Sequence, residues 1–392
     1  MNLQFWKKKQ DKGTAGWSAK KAKPKKSIAR EWLDAILFAA IAATIIRTFF
    51  VEAFVIPTAS MERSLMVGDF LFVSKMHYGT RLPMVPLAVP LVHNKLPFMN
   101  VKSYLGWIKL PYLRLPGFVD IERNDVVVFN YPADDVHPNN SALGPIEIPS
   151  VKENYIKRCV AVPGDVFEIK QGQVYINNKP GYNPPEMQLA YFGVTKGEGL
   201  PESALEPLGF RPLRDNNSNW QLINDDPTQN LLFCPRYIAD SLKAWQGVFA
   251  HMDTMPEQMI RSFFHLDNRG FGFDMSRKNW SINNFGPITI PGKGKTIKID
   301  TANVEVYRRA ITAYEKHELE VKDHKIYIDG KETSEFTFEM DYYFMMGDNR
   351  YNSQDSRYWG FVPEDHIVGK PIMVFFSREN GIRWNRIFKM IK

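Results

Sequence analysis

The sequence predicts a mainly β protein. It has an antiparallel β-sheet domain, one N-terminal transmembrane helix and a mixed subdomain inserted into the sheet domain. Three observations support this. A single long apolar stretch lies near the N-terminus. After it come short runs rich in β-branched and aromatic residues, separated by Gly, Pro, Asn and Asp, as in antiparallel sheets. A long block with helix-like stretches then separates two such β-rich regions.

The composition is that of folded globular domains. The 392 residues are 44% hydrophobic and 24% charged, which excludes a largely disordered chain and a membrane protein with many spans. The net charge of +7 arises in the first 30 residues, which contain ten Lys or Arg and one acidic residue. The remaining residues carry slightly more acid than base. A nucleic-acid-binding body is therefore not indicated.

The apolar stretch Ala35–Ile46 is too short to cross a bilayer, which needs about 20 residues. The wider window Leu33–Val55 is long enough, although it includes Asp34, Arg47 and Glu52. Long charged side chains near the end of a span can reach the lipid headgroups. We therefore predict one transmembrane helix, with a buried core helix and a cleaved signal peptide as the alternatives.

Basic residues beside a span stay on the cytoplasmic side of the membrane. The basic tail is therefore predicted to lie in the cytoplasm, and the body of the chain on the other side. The predicted segments are a cytoplasmic tail (1–30), the transmembrane helix (31–55), the first part of the sheet domain (56–180), the inserted subdomain (181–319) and the second part of the sheet domain (320–392).

Within the body, eight runs predict strands. They are Phe70–Ser74, Val126–Tyr131, Tyr155–Val162, Val166–Lys170, Gln173–Asn177, Lys325–Asp329, Tyr342–Met346 and Ile372–Phe376. Residues 168–179 resemble residues 320–331, and both segments predict hairpins. Residues 83–118 are rich in Pro and aromatic residues, and are predicted either to rest on the membrane interface or to pack on the sheet.

Several motifs of known chemistry are incomplete. Lys293–Thr296 lacks the first glycine of a phosphate-binding loop, and Asp348–Asn352 lacks an oxygen ligand and the glycine of a calcium loop. No Gly-x-Ser-x-Gly elbow is present. Cys159 and Cys234 form neither a disulfide framework nor a zinc site, and their pairing stays open. We expect no metal, nucleotide or other cofactor.

Four segments stand out: Ile56–Leu65, Arg123–Phe129, Tyr155–Asp165 and Met346–Gly360. In this order, after a single membrane anchor, they resemble the conserved boxes of type I signal peptidases, the bacterial leader peptidase family that uses a Ser/Lys dyad. The resemblance covers the anchor and most of the sheet domain, but not the insertion. It implies that the sheet domain is catalytic, a serine endopeptidase that cleaves N-terminal signal peptides from exported preproteins after small residues.

The resemblance assigns the nucleophile to Ser60 and the general base to Lys157. An ordinary lysine is almost fully protonated at pH 7, so this role requires a lowered pKa. Burial can lower it, because desolvation disfavours the ammonium ion. Strand alternation directs Lys157 to the same face as Tyr155 and Cys159, and no acidic residue lies nearby in sequence.

By the same resemblance, the Thr58 hydroxyl and the Ser60 backbone N–H stabilise the oxyanion. Ser353 orients the lysine amine, and Asp355 and Arg357 brace the site. The expected apolar substrate pocket is lined by Phe54, Ile56, Met61, Leu65 and Ile156.

Other positions near these segments bear on the shape of the site. Gly347 is expected at a backbone conformation that other residues resist, and Asp348 and Arg350 are expected to shape the turn. Arg63 stands where the family often has Pro, and Ser64 where Thr is common. These two departures concern the shape of the loop and leave the Ser60–Met61 match intact.

The resemblance further implies a location and partners. The protein is expected in the bacterial cytoplasmic (inner) membrane, single-pass, with its N-terminus in the cytoplasm and its catalytic domain on the outer (periplasmic) side. Its expected partners are signal-peptide-bearing preproteins and membrane lipid, with neither nucleic acid nor nucleotide.

Two rival functions differ in their consequences. A catalytically silent, membrane-tethered β-domain that binds exported proteins would not need Ser60 or Lys157. A self-cleaving Ser/Lys protease with a regulatory role would cut its own chain.

Overall fold

The computed structural model describes residues 27–87, 101–133, 148–197, 199–211, 218–245, 247–263 and 280–391. The predicted cytoplasmic tail lies almost wholly outside the described residues, as does part of the aromatic stretch 83–118. The described part of that stretch exposes several large apolar side chains, among them Trp107 and Phe118.

The N-terminal apolar segment forms the helix α1, Ile28–Phe49, whose 22 residues are long and apolar enough to cross a membrane. None of its side chains is buried inside the protein. The predicted helix extended to Val55, whereas residues Val51–Val55 form the strand β1. Strand pairing there gives Glu52 a partner, because its carboxylate lies 2.8 Å from Lys75 Nζ at the end of the neighbouring strand.

The largest sheet has eight strands, and every pairing within it is antiparallel. In spatial order the strands are β1, β2 (Asp69–Ser74), β20 (Ile367–Ser377), β3 (Val126–Asn130), β4 (Asn154–Ala161), β18 (Tyr342–Met346) and β19 (Val362–Pro363), with β21 (Lys389–Met390) paired to β20. The central strands are built from Val, Ile, Phe and Tyr, and their residues are mostly buried. This order pairs strands from distant parts of the chain, so the sheet brings together residues that are far apart in sequence.

A second sheet of four strands lies within the predicted insertion. Its spatial order is β11 (Phe249–Thr254), β8 (Gln188–Thr195), β10 (Asp226–Pro235) and β9 (Trp220–Ile223), and its helices are α2 (Glu202–Leu205), α3 (Arg236–Lys243) and α4 (Glu257–Phe263). Helix α3 buries Ile238, Ala239 and Leu242 along one face. These side chains join Trp220 and Leu232 in a separate hydrophobic core.

Smaller sheets complete the fold. They are β12 (Phe285–Thr289) with β5 (Val166–Lys170), β6 (Gln173–Ile176) and β7 (Lys179–Pro180); β13 (Thr296–Lys298) with β17 (Glu335–Thr337); and β14 (Leu319–Lys322) with β15 (Lys325–Ile328) and β16 (Lys331–Glu332). The two similar segments are hairpins, as predicted. Strand β12 pairs with β5, which links residues before 319 to the first part of the sheet domain. The domain boundary at 319 stays a prediction.

Two short helices follow later in the chain, α5 (Val304–Arg309), which continues as a π-helical turn, and α6 (Ser356–Trp359). Each of the eight predicted strand runs overlaps an observed strand. The fold is therefore mainly β and antiparallel, as the sequence predicts. Cys159 and Cys234 are both buried and unpaired.

Candidate active site

Ser60 lies in a single 3₁₀ turn, Ala59–Met61, between β1 and β2. All three residues of the turn are buried. The Glu62 N–H donates to the Ala59 carbonyl at 3.0 Å, and the Leu65 N–H donates to the Met61 carbonyl at 2.7 Å. The serine is therefore presented by a tightly bonded turn.

Lys157 lies on β4, between β3 and β18. Its Nζ is 2.6 Å from Ser60 Oγ and 3.0 Å from the Ile156 carbonyl oxygen. The side chain is 3% exposed, and its Nζ lies 5.5 Å from the centre of the Tyr155 ring. The structure thus brings the two predicted catalytic residues into direct hydrogen-bond contact.

Burial lowers the pKa of Lys157 from an ordinary 10.5 to about 8. The carboxylates of Asp355 and Asp348 favour the charged form, but they do not offset the cost of desolvation. At pH 7 roughly one amine in ten is then neutral. Sequence proximity could not reveal these two acids, because both follow β18 while Lys157 lies on β4.

Gly347, directly after β18, packs against the nucleophile. A Cβ at this position would lie 2.3 Å from Ser353 Oγ and 2.5 Å from the Ser60 carbonyl oxygen. Gly347 does not have a positive φ angle, so the expectation of an unusual backbone conformation was wrong. Glycine is needed here because there is no space for a Cβ between Ser353 and Ser60.

Asn349 also holds the serine turn. Its backbone N–H donates to the Ser60 carbonyl at 3.1 Å, and its Nδ2 donates to the Ala59 carbonyl at 3.1 Å. Sequence analysis did not assign a role to Asn349. The signal for it was only its position inside the Met346–Gly360 segment.

Asp355 and Arg357 form a fully buried, bidentate ion pair. Arg357 Nε and Nη2 lie 2.9 and 2.8 Å from the two carboxylate oxygens. Asp355 also accepts the Gly347 N–H at 3.1 Å and caps α6. Burial raises the pKa of Asp355, but the charge and hydrogen bonds of Arg357 outweigh it and the net shift is downward. The pair therefore fixes the backbone beside Ser60 while keeping a negative charge in place.

A second buried pair joins Arg158 and Asp348, at 2.9 and 2.7 Å. Asp348 also accepts a hydrogen bond from Ser64 Oγ at 2.6 Å. Its role therefore extends beyond shaping a turn. The second hydroxyl of the nucleophile segment, Ser64, is bonded to a carboxylate and is not beside Lys157.

The remaining predicted site residues lie around the dyad. Thr58 is exposed, in extended backbone directly before the turn. Ser353 is buried, and its hydroxyl helps to lower the pKa of the Asp355 carboxyl. The Lys157 bonds described above go to Ser60 and Ile156, so a bond from Ser353 to the amine is not part of this structure. The five predicted pocket residues belong to one apolar cluster. Phe54 and Ile156 are half-buried, whereas Ile56, Met61 and Leu65 are buried.

The loop that follows the serine turn is fastened by the C-terminal segment. Arg386 pairs with the buried carboxylate of Asp69, with Nε 2.9 Å from Oδ1, and donates to the Ser64 carbonyl at 3.2 Å. Arg383 donates to the Val67 carbonyl. The loop is therefore held by residues from the far end of the chain.

The inserted subdomain contacts the same loop. Glu62, which is buried, lies 2.9 Å from Arg211 Nη2, and Arg63 Nη2 donates to the Leu208 carbonyl at 2.5 Å. Among the described residues no group of three or more His, Cys, Asp and Glu could hold a metal ion.

Comparisons with known proteins show a family and several relatives. The chain matches the profile of the family described as signal peptidase, peptidase S26, over residues 29–198 and 288–376. Signal peptidase I of Buchnera aphidicola subsp. Baizongia pistaciae is 25% identical, over 88% of this chain and 77% of that protein. The Haemophilus influenzae protein of the same name is 24% identical over 93% and 77%, and that of Helicobacter pylori 24% over 88% and 86%.

Proposed function

The chain belongs to the signal peptidase family, peptidase S26, and we propose that its cleavage of signal peptides uses Ser60 as nucleophile and Lys157 as general base. One observation carries the proposal: the 2.6 Å contact between Lys157 Nζ and Ser60 Oγ. The amine is buried and its pKa is lowered to about 8. A neutral amine at this distance can accept the serine proton.

The reaction has two halves. Ser60 Oγ attacks the scissile carbonyl while Lys157 takes its proton, and the tetrahedral intermediate then collapses as the C–N bond breaks and the lysine proton passes to the leaving amine. Water attacks the resulting acyl-enzyme, again giving its proton to Lys157. The ester bond breaks, Ser60 regains a proton, and the signal peptide leaves with a new carboxyl end.

Supporting roles follow from position. The Ser60 N–H and the exposed Thr58 hydroxyl stabilise the oxyanion, a type of donor typically worth about 3 kcal/mol in the transition state. Ser353, whose hydroxyl lies by the Asp355 carboxylate and lowers its pKa, is the residue proposed to orient the amine. Asp355 and Arg357 hold the backbone of Gly347, against which Ser60 packs.

The substrate pocket is proposed at the apolar cluster beside Ser60. Its half-buried members Phe54 and Ile156 offer a shallow surface, while Met61 and Leu65 support it from beneath. A shallow apolar surface favours small side chains before the scissile bond. This is the pattern at the cleavage sites of signal peptides.

The proposed location follows from α1, the one described helix that could cross a membrane. The helix anchors the chain in the bacterial cytoplasmic membrane, with the basic tail in the cytoplasm and the catalytic domain on the outer side. Because Ser60 follows α1 by only eleven residues, the nucleophile stays near the bilayer, where preproteins emerge. Lipid is therefore a proposed partner.

Cleavage of a preprotein by the full chain in detergent tests the dyad. We expect Ser60→Ala and Lys157→Met each to lower kcat by at least about a thousandfold, because each removes a group on which the acyl-transfer step depends. Release of the mature protein, followed by gel and mass spectrometry, is the measurement.

The matched controls are Ser334→Ala and Lys170→Met, at exposed positions away from the site. Both should cleave like the unmodified protein. Unreduced cleavage by Lys157→Met would remove Lys157 as the base and leave family membership untouched. Cleavage of the chain itself in place of a preprotein would favour the self-cleaving alternative.

A further inference from the structure

Arg63, three residues after the proposed nucleophile, has a backbone conformation that is rare for its residue type. Its φ angle is 68°. A side chain with a Cβ is disfavoured there relative to right-handed backbone. Such a conformation persists only when surrounding contacts hold it. The contacts of Arg63 therefore need an explanation.

The side chain of Arg63 points into the inserted subdomain. Nη2 donates to the Leu208 carbonyl, which lies at the end of the short 3₁₀ turn after α2. The next residue, Gly209, has a φ of 80°, and a Cβ there would lie 2.7 Å from Arg63 Nη2. The subdomain thus presents a carbonyl acceptor together with the empty space that the guanidinium requires.

A second contact lies beside the first. The buried carboxylate of Glu62 accepts from Arg211 at 2.9 Å, and its other oxygen has no hydrogen-bond partner. Burial raises the pKa of Glu62 against the opposing charge of Arg211. The counter-charge that is hydrogen-bonded to Glu62 therefore comes from the subdomain, and Arg383 adds a smaller contribution.

Glu62 is bonded directly to the serine turn, and Arg63 follows it in the chain. Glu62 ends the 3₁₀ turn that contains Ser60, and its N–H donates to the Ala59 carbonyl. A shift of residues 62 and 63 would therefore move Ser60 relative to Lys157, whose bond to the Ile156 carbonyl lies within its own strand. Displacements of about 1 Å can cost an enzyme up to a hundredfold in rate.

We propose that the inserted subdomain positions the nucleophile, acting through Arg63 on Leu208 and through Arg211 on Glu62. Arg63 and Arg211 are positioning residues that do not touch the substrate. The inference rests on the proposed role of Ser60 and gives the insertion a part in the reaction. The alternative is that these contacts only attach the subdomain to the catalytic domain.

Arg63→Gly separates the two roles, because glycine accepts the positive φ while the guanidinium is lost. We expect kcat for preprotein cleavage to fall about tenfold with KM within twofold, and reaction of Ser60 with a small peptide aldehyde to slow by a similar factor. Arg63→Lys keeps one donor and should recover part of the loss. A purely attaching role would lower the melting temperature and leave kcat per folded molecule unchanged.

Arg236→Ala is the matched control, since this arginine lies in the same subdomain with a side chain 86% exposed. It should match the unmodified protein in kcat, KM and melting temperature. If Arg63→Gly does not fold, Arg211→Ala decides, because it leaves the loop backbone unaltered. Wild-type kcat in a folded Arg63→Gly or Arg211→Ala overturns the inference. Ser60→Ala distinguishes this failure: if it still cleaves, the proposed function itself is wrong.

Discussion

The two main sheets of this protein differ in whether they bury charged side chains. The eight-stranded sheet and its loops bury many charged side chains, among them Lys157, Arg158, Asp348, Arg350, Asp355 and Arg357. The four-stranded sheet of the insertion buries polar residues such as Gln188, Thr195, Asn219 and Asn230, but no charged residue within its described part. Both sheets have apolar cores. The difference therefore does not come from a lack of apolar packing in either sheet.

Buried charge is expensive unless it is well paired, and apolar residues can replace such pairs without loss of stability. Its concentration around Ser60 thus points to chemistry more than to stability. Arg158 and Arg357 each have a bidentate carboxylate partner. The hydrogen bonds described for the Lys157 amine go to neutral oxygens, which is the arrangement that a base requires.

The largest change in the free energy of unfolding is expected from breaking a buried ion pair beside the eight-stranded sheet. Arg357→Met should lower the free energy of unfolding by about 3–5 kcal/mol, because it leaves Asp355 buried without a counter-charge. Denaturant-induced unfolding measures the loss. The exposed pair Lys325–Glu332 is the control, and Lys325→Met should leave the unfolding midpoint unchanged. Equal losses in the two variants would contradict the comparison.

The second effect has the opposite sign. Because burial lowers the pKa of Lys157, the folded protein binds fewer protons than the unfolded chain between about pH 8 and 10.5. Below pH 8 the amine is charged in both states, and the folded protein bears the whole cost of burying that charge. Lys157→Met should therefore raise the free energy of unfolding by about 3 kcal/mol at pH 6–7.

The pH series is the decisive measurement for this variant. The gain should shrink as the pH rises from 8 and disappear near 10.5. The control, Lys170→Met, should differ from the unmodified protein by the same small amount at every pH. A gain for Lys157→Met that does not change with pH would mean that burial is not what perturbs the amine.

The smallest effect is expected in the four-stranded sheet of the insertion, whose buried side-chain hydrogen bonds join neutral groups. Trp220 Nε1 donates to Asn230 Oδ1 at 2.8 Å, and both residues are buried. Asn230→Leu should lower the free energy of unfolding by about 1–2 kcal/mol, since the indole N–H loses its acceptor. Thermal unfolding between pH 6 and 9 should give the same difference throughout. A pH-dependent loss would indicate an ionised group in this core.

Local pattern predicted much of this molecule. Alternation and turn residues located the strands to within a few residues, including the long strand β20, of which only Ile372–Phe376 was predicted. The same rules missed β1 and all four strands of the insertion's sheet. For β1 the reason is that an apolar run that continues a helix does not show where strand pairing begins. The pairing of β1 with β2 makes this segment a strand, and β2 follows the serine turn in the sequence.

The site residues were predicted from the resemblance to a known family. The resemblance did not predict the side-chain contacts between residues that are distant in sequence. The pairing of Arg158 with Asp348, and the bond from Ser64 to that carboxylate, join residues hundreds of positions apart. They depend on β4 lying beside β18, a register that no local pattern encodes. The reason for Gly347 likewise lies in its distance to Ser353 and Ser60.

The pairing of Asp69 with Arg386 spans 317 residues. Contacts this distant in sequence form late, since the intervening chain must first be ordered. During synthesis the loop after the serine turn therefore lacks these contacts until residues 383–386 have left the ribosome and packed against it.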